Sequence, residues 1–199
     1  MSPRPRKASD EEVFAAAYRV MGRRGPAELT LAEIAGEAGL TAGALVQRFG
    51  SKRALMLALF ERASQGTAEL FGGLRKGRRS PLAVLRAYAD CMAAMGETPA
   101  GLAHSLSYLQ LDFADPEFHR YARAQARTAR AAIRALLDAA VEAGELRRRT
   151  DTGALARLVE TTIGGSLLAW GFHQEGTARA WVRHDLRLAL APYREKGRG

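Results

Sequence analysis

Few side chains in this sequence are spaced for covalent or acid–base chemistry. Cys91 with His104 offers a thiol and an imidazole, and His119 with Asp112 and Asp115 offers an imidazole and two carboxylates. Nucleophilic catalysis needs a nucleophile beside a base that a third group orients, whereas phosphate chemistry needs a glycine-rich cradle; neither pattern occurs. A single cysteine excludes an intramolecular disulfide and a Cys-rich zinc site. His104 has no second His or Cys at i+3 or i+4 to complete a metal site. No catalytic residue, metal ligand or cofactor is therefore assigned, and an enzyme is not expected.

Polar recognition is a better match to the residues. In "LTAGALVQRFGSKRAL", from Leu40 to Leu55, two glycines interrupt a helical run and one glutamine sits among small residues. On a helix turning about 100° per residue, Leu45 and Phe49 define one buried direction and Gln47 falls nearly opposite. Gly43 and Ala44 lie beside Gln47, with Val46 and Arg48 on the flanks. So low a face can enter a DNA major groove, presenting the backbone N–H groups of the Thr41–Ala42–Gly43 end to a phosphate and Gln47 to base edges. Glutamine pairs bidentately with adenine N6 and N7. The same face also suits packing against another helix, with Gln47 an ordinary solvated amide. Spacing alone leaves both readings open.

The elements that must position this face are marked by caps. Ser9 and Glu12 form a capping box ahead of a first helix carrying Val13, Ala17, Val20 and Met21 at helical spacing. "GRRGPAE" stops it. Thr30 and Glu33 form a second box before Leu31, Ile34, Ala35 and Ala38, and Gly39 ends that helix with an expected positive φ. Thr41 caps a third helix, Gly50 stops it, and Ser51 caps a fourth running through Leu55 and Leu59. A connection, "FGGLRKGRRSP", precedes longer helices expected near 81–95, 99–111, 116–144, 151–173 and 177–193, with Thr98–Pro99 and Asp115–Pro116 as two starts.

Composition agrees with an all-α chain: 47% of its 199 residues are hydrophobic, chiefly Ala and Leu, and aromatics make up only 7%. A formal charge of +9 favours an anionic partner, although the basic residues are spread along the chain. Arg4, Arg6 and Lys7 form a proline-spaced arm, readable as a phosphate-reaching segment or as a solubilising tail. No apolar run reaches the ~18 residues of a membrane span, and no apolar segment follows "MSPRPRK", so neither a membrane anchor nor a signal peptide is expected. A reducing, cytoplasmic setting fits the single cysteine.

The segment "LTLAEIAGEAGLTAGALVQRFGSKRAL", Leu29–Leu55, with "VFAAAYRVMGRRG" upstream of it, resembles the DNA-binding region of the tetracycline-repressor (TetR) family of bacterial transcription regulators. The resemblance covers about the first quarter of the chain. It implies an N-terminal three-helix helix-turn-helix domain, residues 9–55 after an arm at 1–8, and a helical ligand-binding and dimerisation domain at 56–199. Carried onto this sequence, Thr30 approaches a phosphate, Thr41 caps the recognition helix, and Lys52 contacts a phosphate. Position 44 commonly holds Thr or Ser and position 46 Tyr, both used on the DNA backbone; Ala44 and Val46 stand there here. Backbone binding then leans on Lys52, Arg48, main-chain N–H groups and the arm. The implied partners are a double-stranded, pseudo-palindromic operator, a small-molecule effector and a second copy of the chain. The alternative is a nonspecific architectural DNA-binding or interaction protein, which rests on basic charge alone.

Beyond residue 55 the resemblance extends only to a helical bundle. "LARLVETTIGGSLLAWGF" holds more apolar surface than one core contact needs, through Leu155, Leu158, Val159, Thr162, Ser166 and Trp170. Gly164 and Gly165 each cost about 1 kcal/mol relative to Ala in mid-helix, which close approach of another helix explains, from a second chain or from this one. Trp181 and Leu186 extend the expected dimer surface onto the last helix. Met92, Met95, His104, Tyr108, Phe113, Phe118, Tyr121 and Trp170 fall where the family builds its pocket, or else serve as ordinary core. Arg120, Arg123, Arg127, Arg130 and Arg134 line one side of a long helix and read as a solvated, ion-paired face rather than a phosphate-binding stripe.

Overall fold

A computed structural model describes residues 8–94 and 96–195. The described chain is helical throughout, with one isolated backbone bridge between Leu146 and Arg194. Three short helices come first: α1 (Asp10–Met21), α2 (Leu31–Glu37) and α3 (Ala42–Phe49). Seven follow: α4 (Lys52–Arg75), α5 (Pro81–Ala94), α6 (Pro99–Ser107), α7 (Leu109–Ala114), α8 (Pro116–Glu142), α9 (Thr152–His173) and α10 (Ala178–Leu190). A 3₁₀ turn, Ala191–Tyr193, closes α10.

The local signals in the first fifty residues act as expected. Both capping boxes form, with the Ser9 hydroxyl accepting from the Glu12 N–H and the Thr30 hydroxyl from the Glu33 N–H, while each glutamate carboxylate accepts from the cap's own N–H. Gly39 and Gly50 sit at φ 69° and 84°, a backbone region that suits glycine, and they turn the chain into and out of α3. Asp115 and Thr98 cap α8 and α6, each with proline at the first position.

Two hydrophobic cores result. The N-terminal core gathers Val13, Phe14, Val20, Leu29, Ile34, Leu45, Leu55 and Leu59, all buried. The larger core lies among α5, α8, α9 and α10, around Leu85, Ile133, Leu137, Val159 and Leu186. α4 belongs to both: Leu55, Met56 and Leu59 face the first, and Phe71 enters the second, its ring stacked on Tyr88 at 4.6 Å. The boundary expected at 55/56 therefore falls inside one continuous helix. "FGGLR" is the last turn of that helix rather than a connection, because Phe71 and Leu74 dock on the bundle and hold the turn in place. Burial pushes the Tyr88 hydroxyl up to about 12.

The helix expected over 99–111 is broken at Tyr108. Its side chain is drawn into the N-terminal core and its hydroxyl donates to the Arg24 carbonyl at 3.0 Å. Phe118 joins the same core edge-on to Phe60, with centroids 5.0 Å apart. Arg53 then ties α4 to the start of α8 through Asp115 at 2.7 Å and Glu117 at 2.6 Å.

Candidate nucleic-acid interface

α3 is built as its spacing implies. The Thr41 hydroxyl accepts from the Ala44 N–H at 3.2 Å. Leu45 is fully buried, and Phe49 packs half-buried near Phe14, with ring centroids 6.1 Å apart. Gln47, Gly43 and Val46 are exposed, and Ala42 and Ala44 are half-covered. Nothing but the Thr41 hydroxyl, at 3.9 Å, approaches the place where a Cβ on Gly43 would stand. The face around Gln47 is low, apolar at its edges and open.

The cations expected beside it are engaged elsewhere. Arg48 turns back toward α1, donating to the Ala8 carbonyl at 2.6 Å, pairing with Asp10 and lying 5.6 Å over the Phe49 ring. Lys52 is not directed outward either; its ammonium donates to the carbonyls of Pro26 at 3.1 Å and Leu29 at 3.0 Å. Both departures have one cause. The connection between α1 and α2 and the entry to α1 present carbonyl or carboxylate oxygens within reach, and charge-assisted hydrogen bonds to them hold both cations. Helical spacing gives the direction of a side chain but not which distant loop comes to meet it.

The same accounting extends across the unit. Arg19 and Arg23 share Glu37 at 2.7 Å each, Arg24 pairs with Glu33 at 3.1 Å, and Arg53 is held as described. The Thr30 hydroxyl is occupied by its capping box, donating to Glu33 at 2.9 Å. Arg4, Arg6 and Lys7 lie outside the described residues. The hydrogen bond from Thr30 holds the Glu33 carboxyl below the usual range, and Arg19 and then Arg23 do the same for Glu37. Arg53 lowers Asp115 likewise. Depressed carboxylates stabilise the fold above their unfolded values near 4, and that contribution is lost as pH falls through the lower, folded values. Stability followed by circular dichroism is expected to be flat in these terms from neutrality to about pH 4 and to fall below it; Glu37→Gln should flatten the acid limb.

The set considered for catalysis does not assemble. His119 Nδ1 meets the backbone carbonyl of Asp112 at 2.9 Å, not its carboxylate, and Asp115 is taken by Arg53. Cys91 is a free, half-buried thiol.

Residues 13–59 match the family model for bacterial regulatory proteins of the tetR family, the span that builds α1–α3 and the first turns of α4. The helix-turn-helix unit is thus similar to that of the tetR family. Solved structures extend the likeness in fold over the rest of the chain. A TetR transcription regulator from Haloarcula marismortui superposes with a TM-score of 0.75 at 19% identity, covering 94% of this chain and 98% of that one. SmeT, the repressor of the Stenotrophomonas maltophilia multidrug efflux pump SmeDEF, gives 0.67 at 25% identity over 96% and 93%. The reduced form of E. coli NemR gives 0.73 at 17% identity over 94% and 99%. No curated protein matches the chain in sequence.

In this bundle, several residues expected at a dimer surface lie inside the chain's own core. Leu155, Val159, Ser166 and Leu186 are buried, with the Ser166 hydroxyl donating at 2.7 Å to the Asp185 carboxylate or the Thr162 carbonyl. The exposed stripe of α9 is Ala154, Leu158, Thr161, Gly165, Leu168 and Phe172, with Phe172 85% exposed, flanked by half-covered Thr162. Leu188 on α10 is also exposed, and Trp181 is half-covered. Leu168 and Phe172 were readable as the continuation of the Leu158–Thr161–Gly165 spacing, but Trp170, which points the other way, draws the eye to the buried face. Among the described residues, nothing beyond the adjoining backbone of α9 itself lies within 4 Å of a Cβ placed on Gly164 or Gly165, so a close crossing within the chain does not explain the pair.

The expected pocket set is also dispersed. Tyr108 and Phe118 seal the junction with the N-terminal core, Phe113 is 77% exposed, and Trp170 belongs to a small cluster with Leu102 and Ala178. His104 Nδ1 lies 3.3 Å from the Gly22 carbonyl, beside the helix-turn-helix unit. Met92 packs at the edge of the bundle core, and the half-covered Tyr121 carries Arg120 over its ring at 4.7 Å. Met95 lies outside the described residues. The arginines of α8 are exposed, and Arg130 pairs with Glu160 at 2.5 Å, as a solvated, ion-paired face requires.

Proposed function

We propose that this protein is a cytoplasmic, dimeric transcription repressor that binds a pseudo-palindromic DNA operator through α3 and is released by a small-molecule effector. The observation that carries the reading is the exposed, low Gln47 face on a helix whose opposite side, Leu45 and Phe49, is fixed to a core. Two copies related by a two-fold axis would present two such helices to successive major grooves, about 34 Å apart. Main-chain N–H groups of the Thr41–Ala42–Gly43 end meet the backbone, Val46 contacts sugar or methyl groups, and Gln47 reads the base edge. We place the domain division within α4, where its side chains change from one core to the other.

Selection from random duplexes at stated salt tests this reading. A two-fold symmetric site is expected, and an asymmetric or absent preference would refute it. Against the selected site, Gln47→Ala should cost about 1–3 kcal/mol while leaving affinity for scrambled duplex nearly unchanged. An equal loss on both duplexes would remove the base-reading role.

A further inference from the structure

On the outer side of the bundle, α5 and α10 enclose a groove of about 660 Å³ that none of the roles above uses. Its α5 wall is low because Ala83 and Ala87 stand one turn apart, and Leu190 closes the apolar side opposite them. One end is bridged by Asp90 and Arg183, which make two parallel hydrogen bonds of 2.6 and 2.7 Å. Four further guanidiniums line the groove, those of Arg78, Arg86, Arg187 and Arg194, and among the described residues none has a carboxylate partner. The arginines of the helix-turn-helix unit, Arg19, Arg23, Arg24 and Arg48, are by contrast ion-paired.

An apolar trough flanked by uncompensated guanidiniums is complementary to a molecule with an aliphatic body and an oxyanionic head. Arginine's fork matches phosphate and carboxylate oxygens bidentately, and the volume falls within the range of small-molecule sites. A cationic or purely polar ligand satisfies only one of the two features. We propose that the α5–α10 groove is a binding site for a small amphiphilic anion, seated with its chain along Ala83, Ala87 and Leu190 and its head between Arg86 and Arg187. The site does not depend on DNA binding, and it lies apart from the residues expected to form a pocket.

Decyl phosphate, titrated by calorimetry below its micelle-forming concentration into the full chain, is the direct probe. One saturable site per chain is expected, with no comparable binding of inorganic phosphate or decyltrimethylammonium. Arg86→Glu with Arg187→Glu should weaken binding at least about tenfold, since both oxyanion forks are lost. Ala87→Trp, which fills the trough and leaves every charge in place, should do the same, and thermal melts confirm that each variant folds. Undiminished binding in both variants, or equal affinity for inorganic phosphate, would overturn the proposal.

Discussion

Leu168→Glu is expected to leave each chain folded and to abolish its association. Leu168 is nearly half exposed in the single chain, so a carboxylate there is solvated in the monomer. In the proposed dimer the α9 stripes face one another, and the substitution buries an unpaired charge from each copy. One uncompensated buried charge costs about 3–5 kcal/mol, which corresponds to a loss of more than a hundredfold in association. Gly165→Leu separates the same states by shape instead of charge, since among the described residues a Cβ at Gly165 meets no other element. Sedimentation of both variants at micromolar concentration checks the placement. A wild-type monomer, or two unchanged dimers, would exclude this face. Operator affinity should fall with dimerisation, because a monomer engages only one half-site.

Lys52→Ala is expected to act on the fold of the helix-turn-helix unit, not on its salt dependence. The ammonium joins the first turn of α4 to the Pro26 and Leu29 carbonyls. Its removal leaves two half-buried acceptors without their donor. Hydrogen bonds involving a charged group contribute about 1.5–3 kcal/mol, and a loss of that size should appear in urea denaturation. Lys52→Met keeps the aliphatic stem and removes only the charge. Equal destabilisation by both assigns the effect to the ammonium, whereas a stable Lys52→Met variant assigns it to packing. In DNA titrations at several salt concentrations the slope should stay near that of the wild type. A slope smaller by about 1 per half-site would show instead that Lys52 leaves its carbonyls to neutralise a phosphate on binding.

What could be read from the residues was what is local. Ser9–Glu12, Thr30–Glu33, Thr41 and Ser51 each settle a helix start within one turn, and Gly39 and Gly50 settle the turns between; helix order and most limits followed. The direction of Gln47 followed from the same periodicity. Hidden from that reading were contacts made across long separations: Arg48 to Ala8, Lys52 to Pro26, Tyr108 to Arg24. A second failure concerned "FGGLR", whose two glycines suggest a linker and whose helical state depends on Phe71 meeting Tyr88. A third was depth: Leu155, Val159 and Leu186 are as apolar as Leu158 and Leu168, and only the packed bundle separates inward from outward.

The insertion of Tyr108 and Phe118 into the N-terminal core also sets an order of events during biosynthesis. The first sixty residues leave the ribosome carrying every short helix of the unit but lacking two of the rings that close its core. At about 5–20 residues per second, the nascent segment waits roughly 3–12 s for Phe118. During that interval its apolar faces are only partly covered, and α4 has no second core to anchor its far end. A chain released after residue 60 should therefore be sensitive to proteolysis, and the recognition helix should gain its full protection only once the start of α8 has emerged.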